Sequence, residues 1–205
     1  QIRSAYNSAF SEETYEALLQ EINDAFDYKV RFKIAETPIF IPKSLKNQLV
    51  EACSEIMEVI NQPDFKDLTK DAFFNAASVV PNEDDRPKFI QLDFGICKDE
   101  NGALIPKLIE LQGFPSLYFF QELLGRMYRK HFGEAIPNSF SQHLNGMSTQ
   151  EYVDLLRTEI VGDTDPKQVV LLEIDPDEQA TAIDFYATSA ALGIKILSFR
   201  DLIRN

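Results

Sequence analysis

Four side chains that can offer oxygen fall together on one predicted hairpin. The segment from Phe89 to Gln112, FIQLDFGICKDENGALIPKLIELQ, alternates apolar and polar residues on both sides of Asn101-Gly102. An Asn-Gly pair favours a two-residue type I′ turn, because both central positions need φ > 0. That turn places Asp93 opposite Glu110 and Gln91 opposite Gln112. Two carboxylates directly across a ladder repel, so the pair needs water, a shared proton, a nearby cation or a metal. Residues i and i+2 of a strand share a face. Gln91, Asp93, Glu110 and Gln112 therefore form one polar face, while Leu92, Phe94, Ile96, Ile109 and Leu111 are expected to face the core. A one-residue slip would bury the polar set. Oxygen donors so grouped suit a hard cation such as Mg²⁺, which takes one or two carboxylates plus substrate phosphates. The plainer alternative is the solvated face of an antiparallel hairpin.

Other motifs carry less chemistry. Asp93-Phe94-Gly95 spells the kinase metal-binding tripeptide, but no Gly-rich loop, strand lysine or HRD-type loop precedes it. His131 and His143 have no ligand spacing with each other or with Cys53 and Cys97, so no zinc site is expected. Arg126, Arg129, Lys130 and His131 crowd the end of one helical pattern, where they complement its C-terminal dipole. The stretch DPDEQATAIDFY (175–186) opens a helix after an apolar strand, a position that can hold anions. Its many acids favour an amine or a peptide backbone instead.

The elements that must position these residues are legible from periodicity. Tyr15, Leu18, Leu19, Ile22 and Phe26 make a helical stripe over 11–26, and Leu45, Leu49, Ala52, Cys53, Ile56 and Ile60 another over 43–61. A short helix is expected within 67–78 and a polar loop over 81–87. Gly113-Phe114-Pro115 ends the hairpin, and Ser116 is placed to cap a helix over 117–131. Ser148 with Glu151 predicts a capping box for a helix to Ile160. Beyond Asp163-Thr-Asp-Pro166 the pattern changes to strand (169–174), helix (177–192, closed by Gly193) and strand (194–199). Such a β-α-β unit has parallel, buried strands. The expected organisation is an α/β (α+β) chain. Helices pack on an antiparallel hairpin over residues 1–162, and the start of an α/β subdomain spans 167–205. One β-α-β unit cannot build a sheet alone, so a longer parent protein is expected.

Composition sets bounds. The 205 residues carry a net charge of −13, with 16 Phe and no Trp. An acidic chain offers no footprint for nucleic acid or for an anionic membrane surface, and no apolar run is long enough for a transmembrane helix. Two cysteines without a CxxC spacing are expected to be buried free thiols in a reducing, cytoplasmic compartment.

Two blocks in order resemble eukaryotic-type glutathione synthetases and their ATP-grasp relatives. QLDFG stands where that family has a strand of the form RSDYM, and LIELQGFPS where it has IEIN and a serine-containing loop. VVLLEID, DEQATAIDFY and GIKILSF follow, as the family has an apolar strand, an ERNIFDQR-like helix start and a second strand. The resemblance spans residues 89–203. It implies that Glu110 and Gln112 ligate Mg²⁺ on ATP, and that Ser116, Glu178 and Asp184 contact a small-molecule or peptide-like substrate. It places Gln91 at the family's substrate-binding arginine, with Asp93 beside it either supporting the metal ligands or contacting the substrate amine. Gln91 cannot make a bidentate pair with a carboxylate, and the glutamine and arginine of FDQR are missing after Asp184. Both departures point away from glutathione, toward another substrate of an ATP-dependent carboxylate–amine ligase. On the same resemblance the ATP-binding lysines and lid loop lie beyond residue 205. The alternative function is a non-catalytic α/β binding or scaffold domain.

Overall fold

The structure, a computed structural model, describes residues 2–72, 81–82, 86–113 and 117–204. In chain order the elements are α1 (Ile2–Ala9), α2 (Glu12–Asp24), α3 (Lys43–Ile60), α4 (Phe65–Thr69), β1 (Gln91–Lys98), β2 (Leu104–Gln112), α5 (Tyr118–Phe132), α6 (Thr149–Ile160), β3 (Val170–Glu173), α7 (Ala182–Leu192), β4 (Lys195–Ser198) and α8 (Phe199–Arg204). The chain is mixed α/β, with one antiparallel and one parallel two-stranded sheet. It divides into two compact units, Gln1–Phe40 with Ser116–Asn205, and Ile41–Pro115. The break expected after residue 162 is not where the division falls, because α7 packs against α5 and ties the β-α-β segment into the helical unit.

The helical unit is built on α2 packed against α5. Ser11 caps α2 by accepting the Thr14 N–H at 3.1 Å. The stripe then buries Leu18 and Ile22 completely, with Phe120, Leu123, Met127, Phe132 and Ile183 around them. Three tyrosines fasten the irregular segment after α2 to this core. Tyr6 donates to the Glu36 carbonyl at 3.1 Å, Tyr15 to the Ile34 carbonyl at 2.5 Å, and Tyr128 to the Ala35 carbonyl. These phenols satisfy carbonyls that no sheet partner serves. Burial pushes all three pKa values up, that of Tyr128 to about 12.

Residues 148–160 fold as expected: the Ser148–Glu151 capping box is complete and opens α6. In the β-α-β segment β3 and β4 are parallel, with Val170 beside Lys195 and Glu173 beside Ser198. Gly193 closes α7 at φ 74°, in the left-handed region that favours glycine. Two expectations change here. A 3-10 turn at Pro176–Glu178 precedes α7, which starts at Ala182 rather than at residue 177. The strands are also not buried on both faces. Alternate residues Val170, Leu172 and Ile174 are exposed, because α7 covers only one face of a two-stranded sheet.

In the second unit α3 packs against β2. The short helix expected within 67–78 is α4 followed by a 3-10 turn at Lys70–Ala72; residues 73–78 lie outside the described residues, as do 83–85 of the expected loop. The hairpin turn differs from the two-residue form. The Asp99 carboxylate accepts the N–H groups of Asn101 at 2.9 Å and Ala103 at 2.8 Å, and Gly102 N–H returns to the Asp99 carbonyl at 3.0 Å. That local capture makes a three-residue loop with Gly102 at φ 80°, a common hairpin alternative to the type I′ turn. The ladder therefore starts one residue out of the expected register, with Lys98 beside Leu104 and Phe94 beside Leu108. A β-bulge then leaves Ile109 unpaired and restores the expected pairs, Asp93 with Glu110 and Gln91 with Gln112. Two single-residue departures cancel at the acidic end.

Candidate functional site

The open end of the hairpin brings four of the predicted site residues together. Cross-strand partners share a face, so Gln91, Asp93, Glu110 and Gln112 stand side by side. Each strand also pairs its own two. Gln91 Nε2 donates to Asp93 Oδ1 at 3.3 Å, and Gln112 Nε2 donates to Glu110 Oε1. These bonds turn the amide nitrogens toward the acids. Gln91 Oε1 is buried and has no hydrogen-bond partner among the described residues. A buried acceptor without a donor is costly, so this oxygen fits a cation or an incoming N–H. Glu110 itself is exposed and reachable.

The donor set is compatible with Mg²⁺. It holds two carboxylates and two amide oxygens, all hard ligands. Among the described residues no group of three or more His, Cys, Asp or Glu could hold a metal. A cation here would thus rest on the two acids, the amides and a ligand's own oxygens. Ile109 and Leu111 do not face a core: Ile109 is 70 % exposed. The bulge swings Ile109 over Gly95, where a Cβ would lie 3.5 Å from its Cδ1. Leu111 is also exposed. Cys97 is likewise exposed rather than buried, while Cys53 is half-buried, and burial pushes its thiol pKa up.

The remaining predicted residues lie elsewhere. Ser116 lies outside the described residues. Glu178 is exposed on the 3-10 turn before α7, in the helical unit. Asp184 is buried at the start of α7, and its carboxylate serves α5. Oδ2 accepts the Leu117 N–H at 3.0 Å and Oδ1 the Phe120 N–H at 2.8 Å. Leu117 has a left-handed φ of 61° and offers α5 no side-chain cap. Asp184 therefore supplies from a distant helix the acceptors that an N-cap residue normally provides. Burial raises its pKa, and the three amides at the start of α5 offset part of that rise. Both oxygens accept backbone N–H groups, so Asp184 has a structural duty at the start of α5.

The sequence pattern also missed one assembly. Glu122, 5 % exposed on α5, accepts Arg126 Nε with both oxygens at 2.9 Å, and Gln142 Nε2 reaches the same residue at 3.4 Å. The i, i+4 spacing of Glu122 and Arg126 was a usable signal, but helix periodicity alone puts Glu122 on no particular face. Arg129, Lys130 and His131 have structural partners: Arg129 binds the carbonyls of Ile136, Pro137 and Phe140, and Lys130 and His131 hold Glu21 of α2.

No protein-family model, no curated protein and no solved structure matches this chain. Among the described residues no helix is long and apolar enough to cross a membrane.

Proposed function

We propose that this chain carries the metal-holding strand of an ATP-dependent carboxylate–amine ligase of the ATP-grasp type, with a substrate other than glutathione. The observation that supports it is the polar end of the hairpin. Asp93 opposes Glu110 and Gln91 opposes Gln112 despite a shifted turn, because the Ile109 bulge restores their pairing. A register recovered by a bulge beside a cluster of ligating side chains fits the placement of bulges next to active sites.

In this role Glu110 and Gln112 hold Mg²⁺ by carboxylate and amide oxygen. Mg²⁺, when bound, neutralises charge on the phosphates of ATP during transfer to the carboxylate. Gln112 Nε2 fixes the Glu110 carboxylate through the bond they share. Gln91 does the same for Asp93 and presents its unpartnered carbonyl oxygen to an amine N–H. Asp93 adds negative charge that favours a protonated or polarised amine. These groups orient and stabilise; none of them needs to transfer a proton.

A non-catalytic α/β binding domain is the second reading. It draws support from Asp184, whose carboxylate is fully engaged with α5, and from Gln91 where a substrate-binding arginine would stand. Mg²⁺-dependent ADP release by the full-length protein separates the two. Glu110→Ala and Gln112→Ala should each lower the rate at least about tenfold, the scale of lost charge stabilisation. Wild-type rates in both variants would remove the metal role.

A further inference from the structure

A second site lies on the helical unit, independent of the hairpin. A cleft of about 720 Å³ opens between the end of α5 and the loop that leads to α6, and Arg126, Lys130, Ser141, Gln142 and His143 are among its lining. Its cations are not equivalent. Arg129 spends both terminal nitrogens on backbone carbonyls, and Lys130 is bonded to Glu21. Arg126 uses its Nε on Glu122, and among the described residues its two terminal nitrogens make no hydrogen bond. Half of its side chain is exposed, whereas its partner Glu122 is 5 % exposed.

The environment of Glu122 shows how this arginine is held. Gln142 bonds the same carboxylate, and it reaches there because residue 125 is glycine. A Cβ at Gly125 would stand 2.4 Å from Gln142 Oε1. A buried carboxylate braced on one side by Gln142 fixes the Nε edge of the guanidinium on the other. A lone exposed i, i+4 pair would not do this, because it is worth little and ordered weakly. With the Nε edge immobilised, the Nη edge is preorganised. Two parallel N–H groups in a fixed fork match the two oxygens of a carboxylate or phosphate. His143 lines the same cleft, its ring stacked on Tyr152 at 4.5 Å and its buried Nε2 without a hydrogen-bond partner among the described residues. Ser141 adds a hydroxyl at the rim.

We propose that this cleft binds a small molecule through an oxyanion, a carboxylate or a phosphate group, with the Nη edge of Arg126 as its principal contact. The net charge of −13 opposes any anion at long range, so binding is local and of millimolar strength. The test uses the chain as it is, with inorganic phosphate and succinate as probes. Phenylglyoxal modifies accessible arginines, and mass spectrometry reads the rate at each. Phosphate, succinate or both should slow modification of Arg126 about fivefold or more at tens of millimolar, the range set by millimolar affinity. The exposed Arg204 should react at its original rate. Protection by phosphate alone assigns a phosphate ligand, and protection by succinate alone a carboxylate ligand. Equal protection of Arg126 and Arg204, or none by either probe, overturns the site. Arg126→Lys keeps the charge beside Glu122 but loses the fork. Saturable amide shifts of the 141–149 loop on phosphate or succinate addition should disappear in it. Their persistence at wild-type affinity would also overturn the proposal.

Discussion

Replacing Asp184 by alanine should destabilise the helical unit without touching an exposed surface. The carboxylate is buried, and it accepts two N–H groups at 2.8 and 3.0 Å at the start of α5. Hydrogen bonds to a charged group contribute about 1.5–3 kcal/mol each, and an unsatisfied buried N–H costs about 1–3 kcal/mol. Burial of the carboxylate works against these gains, since its pKa is raised with desolvation as the leading cause. The net cost of Asp184→Ala is therefore put at about 2–3 kcal/mol, above the usual range for a lost cap. In a chain of this length that lowers Tm by roughly 5–10 °C. Thermal and urea unfolding followed by circular dichroism would measure it. The raised pKa gives the pH dependence its sign: the linked stability is complete below the unfolded pKa and is lost as pH rises through the folded one. Wild type should thus gain on Asp184→Asn as pH falls toward 4. A variant within about 0.5 kcal/mol of wild type, the range of ordinary surface changes, would refute the capping role and return Asp184 to the substrate.

Other outcomes follow from the same geometry. Tyr128→Phe leaves the Ala35 carbonyl without its donor and should cost about 1–2 kcal/mol by urea unfolding. Wild type should lose stability between pH 10 and 12, because the folded protein keeps the Tyr128 proton that the unfolded chain releases near 10; a pH titration of Tm reads this, and Tyr128→Phe should make the loss shallower while the other raised tyrosines, Tyr6 and Tyr15 among them, keep the rest of it. Gly102→Val forces a β-branched residue to φ 80° and should cost about 1 kcal/mol or more. Deleting Ile109 removes the bulge and joins Leu108 to Glu110, so Asp93 keeps facing Glu110 in an unbroken ladder; cross-strand amide NOEs should show that pairing, and any Mg²⁺ affinity of the hairpin should persist.

Much of the local structure was legible because it is encoded locally. The Ser148–Glu151 box and Gly193 mark helix ends by their own side chains or φ angles, and the structure places both where the pattern predicts. α1 was missed because IRSAYNSA has few apolar residues and only Tyr6 reaches the core. The cap of α5 was not legible in principle: Asp184 lies 64 residues from Phe120, and no spacing rule links them. The hairpin is a mixed case. Its pairing at Asp93 and Glu110 was read correctly from a turn that does not form, because Asp99 draws the loop into three residues and Ile109 absorbs the difference. The same bulge explains why Ile109 stands exposed on the polar side instead of in a core. The brace on Arg126 needed knowledge of which face of α5 Glu122 occupies, and that is set by the loop carrying Gln142.

On the proposed function, the open end of the hairpin holds a hard divalent cation. Mn²⁺ shares the oxygen preference of Mg²⁺ and broadens nearby amide resonances. A titration of the ¹⁵N-labelled chain with substoichiometric Mn²⁺ should first bleach Gln91, Asp93, Glu110 and Gln112, and excess Mg²⁺ should restore them. Broadening spread evenly over the acidic surface, or none at the hairpin, would contradict the metal platform.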